Sequence, residues 1–135
     1  MNSDLHEVVL QWFEYASQDL KAAQEIAKAD YLHPRIACFL AQQSVEKSIK
    51  AILTLNEVEF KKTHDLEQLV LETPDKVRLF LDNLDISWLT GWAVTGRYPG
   101  DWPEATRLEA KRAIQIAVEV YDHIKHFCLQ ENDKL

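Results

Sequence analysis

The chain has 135 residues, 47% of them hydrophobic and 27% charged, with a formal net charge of -7. That length and apolar content suit one domain, residues 1–135, built around a single core. The acidic balance excludes indiscriminate binding to nucleic-acid backbones, while a local basic patch still leaves room for a nucleotide or a short RNA.

From residue 4 to residue 29, Leu5, Val8, Val9, Trp12, Ala16, Leu20, Ala23 and Ile26 recur mostly at three- and four-residue steps, the spacing of an amphipathic helix. Asp4 and Glu7 form a capping-box pair at its start. Pro34 opens a second helix that is predicted to run to about Asn56, with Ile36, Phe39, Leu40, Val45, Ile49, Ile52 and Leu53 covering the broad apolar face of a central bundle helix. A short helix follows over residues 65–72, capped by Asp65 with Gln68 three residues on. In a second short helix, Thr73 is placed to cap, Pro74 takes the first turn, and Val77, Leu79, Phe80, Leu81 and Leu84 supply apolar surface. The last long helix is expected to start near Asp101, with Asp101 and Glu104 as a box-like pair, and to carry Leu108, Ile114, Ala117, Val120, Tyr121, Ile124, Phe127 and Cys128. Strand alternation and repeats are absent, so the expected fold class is all-α: an up-and-down helical bundle of three long helices and two short ones.

No apolar run approaches the ~20 residues that span a bilayer. Cys38 and Cys128 lie on apolar helical stretches, and no Cys-x-x-Cys exists. Free buried thiols in a cytoplasmic protein, away from any membrane, are the expectation.

All three glycines, Gly91, Gly96 and Gly100, and two of the four prolines, Pro99 and Pro103, fall within residues 91–103. Because Gly and Pro break helices, this is the long irregular stretch, and Trp92, Arg97, Tyr98 and Trp102 gather in it. Arg97 is the sharpest functional candidate, with a structural pair to Asp101 or Glu104 as the competing account. Glu46, Lys47 and Lys50 put two cations and a carboxylate on the side of the second helix away from Ile49 and Ile52, where a solvated face laced with ion pairs is the simpler account. His64, directly before Asp65, fits either turn packing or chemistry. Trp88 and Trp92 suit the core, or else an aromatic surface with Tyr98 and Trp102. His123 and His126 have no third partner at useful spacing, so no metal is expected.

Four segments together resemble one family. They are Trp12-Phe-x-Tyr-Ala-x-x-Asp-Leu-x-Ala22-Ala23, Ala41-Gln-Gln-Ser-Val-Glu-Lys-Ser-Ile-Lys-Ala-Ile-Leu53, Lys62-Thr-His-Asp-Leu66 and Arg97-Tyr-Pro99. In order and spacing they resemble the HEPN domain, named for higher eukaryotes and prokaryotes nucleotide-binding, of the single-domain prokaryotic type often paired with a minimal nucleotidyltransferase. The resemblance implies a helical bundle that commonly dimerises. It also implies that the second helix and the Arg-Tyr-Pro segment approach each other, which makes Arg97, Tyr98, Lys47, Lys50 and His64 the candidate ligand-binding residues. Many members are metal-independent ribonucleases, often toxins, in which an Arg is followed after four to six residues by His. Arg97 matches the Arg, but Trp102, Pro103 and Glu104 stand where the His belongs, and no histidine occurs between His64 and His123. Cleavage through a 2'-hydroxyl needs a proton acceptor that titrates near neutrality, which Arg, Trp and Pro cannot supply. The expectation is therefore a nucleotide- or partner-binding module without the complete Arg/His pair and without a cofactor. It would be a homodimer and the partner of a minimal nucleotidyltransferase in a toxin–antitoxin-like pair, whose enzyme can modify a Tyr such as Tyr98. The alternative is a ribonuclease toxin that uses Arg97 with a non-standard base.

Overall fold

A computed structural model describes residues 3–93 and 104–131. Among them lie six α-helices and no strand: α1 (Ser3–Lys28), α2 (Pro34–Leu55), α3 (Leu66–Val70), α4 (Asp75–Leu81), α5 (Ile86–Thr90) and α6 (Arg107–Glu131), with a single 3-10 turn over Gly91–Ala93 after α5. The bundle expectation holds, and α5 is a third short helix that the sequence pattern does not predict.

The three long helices make the core, and α2 packs against both α1 and α6. Their seams are lined by small residues. Ala16 and Ala23 of α1, Ala37, Ala41 and Ala51 of α2, and Ala110, Ala113 and Ala117 of α6 are all buried, which lets backbones approach closely while Ile49, Ile52, Leu53 and Ile124 fill the remaining space. Where α1 meets α2, Ser44 Oγ donates to the Ala16 carbonyl at 2.8 Å and Ser48 Oγ donates to the Ser44 carbonyl at 2.9 Å, so both buried hydroxyls are satisfied.

Helix ends follow local chemistry, with corrections. Asp65 caps α3 by accepting from Glu67 N at 3.1 Å. Thr73 does not cap α4. Its hydroxyl donates back to the Val70 carbonyl at 2.6 Å, and Pro74 occupies the N-cap position. Helix α6 starts at Arg107 and not near Asp101, because Thr106 and Glu109 form a reciprocal capping box: Glu109 N donates to Thr106 Oγ1 at 3.0 Å, and Thr106 N donates to Glu109 Oε1 at 2.9 Å. Asp101 lies outside the described residues. Leu79 and Leu108, counted among the apolar faces, are exposed. In α4, Val77 and Leu81 stand one turn apart and take the inward stripe, which turns Leu79 outward.

The end of α2 directs the chain toward the site. Glu57, at φ 56°, closes a Schellman turn in which Val58 N donates to the Leu53 carbonyl and Glu57 N donates to the Thr54 carbonyl. The connection over residues 56–65 thereby folds back along α2, and Val58 and Phe60 pack against the core.

Candidate functional site

One stripe of α2 is polar although it faces inward. Gln42, Glu46 and Lys50, spaced four residues apart, are all buried. The returning 56–65 connection covers them, and each meets a partner. Gln42 Nε2 donates to the His64 carbonyl at 3.1 Å, and Thr90 Oγ1 donates to the same carbonyl at 3.3 Å while it accepts from Leu66 N at 2.9 Å. These contacts tie the backbone of His64 to α2 and to the end of α5.

The side chains continue the network. Glu46 Oε1 lies 2.8 Å from His64 Nδ1, and Glu46 Oε2 accepts from Lys50 Nζ at 2.9 Å. A carboxylate only accepts, so the first contact requires the imidazole proton on Nδ1. The Lys50 ammonium also sits 5.7 Å from the Trp12 ring centroid and 5.8 Å from that of Phe60, which places it within cation–π range of both. Exposure separates the two ends of this chain of groups: the Glu46 side chain is 4% exposed, while that of His64 is 58% exposed.

His64 stands on the wall of an open cleft of about 590 Å³, lined also by Lys62, Thr63, Asp65, Glu67, Thr90, Gly91 and Ala93. Lys62 supplies its cation and His64 an imidazole, against Asp65 and Glu67. The Asp65 carboxylate is engaged in capping α3. A second hollow, of about 330 Å³ between α3, α4 and α5, has only Glu67 and Asp82 as charged lining. It offers an anionic ligand nothing.

The candidate residues are thus partly brought together. His64 faces the cleft. Lys50 lies beneath it but is spent on Glu46, and Lys47 is paired with Asp19 of α1 at 2.5 Å, so the two lysines do not form a free cationic pair. The solvated face expected of Glu46 and Lys50 is instead interior, because Trp12 and Phe60 close over it. Arg97, Tyr98 and Trp102 lie outside the described residues, and Gly91 and Ala93, which line the cleft, lead into that segment. Glu104, one of the residues that stand where the histidine belongs, is exposed at the other side of the same segment, 3.7 Å from His33 and 3.9 Å from Arg35.

The remaining aromatic and titratable groups have structural roles. Trp92 is buried in the core, and Trp88 meets it edge-on at 6.0 Å while the Arg112 guanidinium lies 4.2 Å above the Trp88 ring. Arg112 also pairs with Asp85, whose carboxyl is held below its ordinary range first by the Trp88 backbone N–H. His123 stacks on Phe80 at 3.8 Å and its buried Nε2 has no hydrogen-bond partner; burial, then the charge of His126, pushes its pKa down. Burial pushes the thiols of Cys38 and Cys128 up to about 12, and both are free. No cluster of three or more His, Cys, Asp or Glu suited to a metal ion occurs among the described residues, and none of their helices is long and apolar enough to cross a membrane.

The HEPN domain model matches residues 9–127, nearly the whole of the chain. The chain belongs to the HEPN family. Two crystal structures share its fold. An archaeal HEPN homologue is 25% identical, with a TM-score of 0.69 over 89% of this chain and 97% of its own. A protein from Thermus thermophilus is 26% identical, with a TM-score of 0.71 over 87% of this chain and 96% of its own. No curated protein matches the sequence. In this HEPN chain the missed features are the roles of Gln42, Glu46 and Thr90. Their one sequence signal is a polar residue every fourth position on the best-buried helix.

Proposed function

We propose that this HEPN chain binds a nucleotide or a related phosphate-bearing ligand in the cleft beside His64, with Arg97 and Tyr98 contributed by the adjoining segment. It does so as a homodimer and as the partner of a minimal nucleotidyltransferase in a toxin–antitoxin-like pair. The observation that carries the ligand reading is the imidazole of His64, held from behind and presented to an open cleft that also has Lys62 on its wall. Phosphate is recognised by cationic and N–H groups at short range, a part that Lys62 takes on the cleft wall, and the chain's overall negative charge leaves such recognition local. Ribonuclease activity with Arg97 and a non-standard base is the second reading, favoured by the presence of one imidazole in the cleft.

Melting curves of wild type, Lys62→Ala, His64→Ala and Arg97→Ala against nucleotides and short RNAs, with RNA integrity followed on gels, test both. A ligand at about 100 times its dissociation constant stabilises by about 2.7 kcal/mol, and that gain should vanish in Arg97→Ala. Nucleotides that leave the melting temperature of wild type unchanged would sink the ligand reading. Arg97-dependent RNA fragments would replace it with the ribonuclease. Co-expression with a nucleotidyltransferase from the neighbouring reading frame tests the pair, which fails if the two proteins do not co-purify. Sedimentation as a monomer at all concentrations would remove the dimer.

A further inference from the structure

We infer that His64 is the hydroxyl-binding group of the cleft: Glu46 holds its Nδ1–H, so that Nε2 accepts the hydrogen bond of a ligand hydroxyl. Only the identity of that ligand rests on the nucleotide reading above. The imidazole itself is argued from the geometry.

Burying a carboxylate and an ammonium together is a weak source of stability, since desolvation offsets most of their attraction and an apolar pair of the same shape often does as well. Here Glu46 and Lys50 are nonetheless both interior, and Glu46 uses one oxygen for each neighbour. Four residues fix one half-exposed ring: Gln42 and Thr90 hold the His64 carbonyl, Glu46 holds Nδ1, and Lys50 holds Glu46. A purely structural tie between the 56–65 connection and α2 needs the Gln42 bond and no imidazole. A carboxylate behind one ring nitrogen sets the tautomer and orients the ring. Among the described residues nothing pairs with Nε2, and His64 lines the cleft. A neutral ring in this tautomer is an acceptor at Nε2, so it meets a donor such as a sugar hydroxyl, whereas a phosphate oxygen cannot pair with it. Phosphate contacts then fall to Lys62, and the hydroxyl to His64.

Two-bond proton–nitrogen spectra of the ¹⁵N-labelled wild-type protein, at a pH where the ring is neutral, decide the tautomer without any mutation. His64 should show a single form with Nδ1 protonated; an Nε2-protonated ring or an even mixture would overturn the assignment. In the charge-free pair Glu46→Gln with Lys50→Met, which leaves no lone buried ion if one single variant fails to fold, the Nδ1–H preference should weaken.

The probes are AMP, dideoxy-AMP lacking both sugar hydroxyls, and inorganic phosphate. AMP should shift His64 Nε2 and bind about tenfold more tightly than dideoxy-AMP, the loss expected for one unmade hydrogen bond to a fixed acceptor. His64→Ala should bind the two equally. AMP that raises the melting temperature without moving Nε2, or inorganic phosphate that moves it as much, would refute the hydroxyl role. AMP that has no effect on melting counts against the nucleotide reading, and the tautomer then decides the imidazole assignment alone.

Discussion

Lys50→Met removes an ammonium from beneath Glu46 while keeping an unbranched apolar chain between the rings of Trp12 and Phe60. The Glu46 side chain is 4% exposed and that of Lys50 is 11% exposed, so water cannot readily replace the lost partner. Breaking a buried pair from one side costs about 3–5 kcal/mol. His64 Nδ1 still faces Glu46 at 2.8 Å, which puts the expected loss at the lower end of that range. For a chain of this size about 3 kcal/mol lowers the melting temperature by roughly 10 °C. Urea denaturation followed by circular dichroism measures it, with an unchanged slope showing that stability and not compactness has moved. Glu46→Gln should cost a similar amount by stranding Lys50. The double variant should lose far less than the two single losses added together, because neither charge is then left without its partner. Single losses within about 0.5 kcal/mol, or losses that simply add, would refute the claim that this pair is interior and coupled.

Other outcomes follow from particular contacts. Thr106→Ala removes one half of the reciprocal box at the start of α6 and should cost about 1 kcal/mol in urea denaturation. Glu57→Gly should gain a few tenths to about 1 kcal/mol, since the left-handed backbone at φ 56° strains any residue with a Cβ by more than glycine loses in chain entropy. His123 has its pKa pushed below the ordinary 6.5 by burial and by His126, so the unfolded chain binds the proton first as pH falls. Melting temperature should therefore decline as pH drops below about 6.5, levelling only beneath the lowered folded value, and His123→Phe should flatten that decline. With both thiols buried and raised to about 12, a thiol reagent should react with neither Cys38 nor Cys128 in the native protein, and with both after denaturation; fast native reaction would contradict their burial.

Periodicity makes the bundle legible in the sequence. The apolar stripes of α1, α2 and α6 recur at helical spacing over more than twenty residues each, and a Pro at the start of α2 and an Asp before α3 mark ends with local hydrogen-bond chemistry. Helix α5 escapes such a reading because five residues hold too little of a period, although Asp85 accepting from Trp88 N is an ordinary cap. The start of α6 is ambiguous in the sequence because two capping patterns compete, Asp101 with Glu104 and Thr106 with Glu109, and the second closes the reciprocal box.

By itself, then, the sequence determined the helical class, the family resemblance and the presence of Arg97 without its usual histidine, since these depend on residue type and on spacing along one chain. Only the tertiary structure decided what Glu46 and Lys50 are. On an isolated helix their side is solvated, and nothing local says that Glu57 will turn the chain back to lay Phe60 and His64 across it. Burial of a charged pair is a property of what covers it. That cover comes from Trp12 on α1 and from the connection that carries His64 to the cleft, eighteen residues along the chain from Glu46.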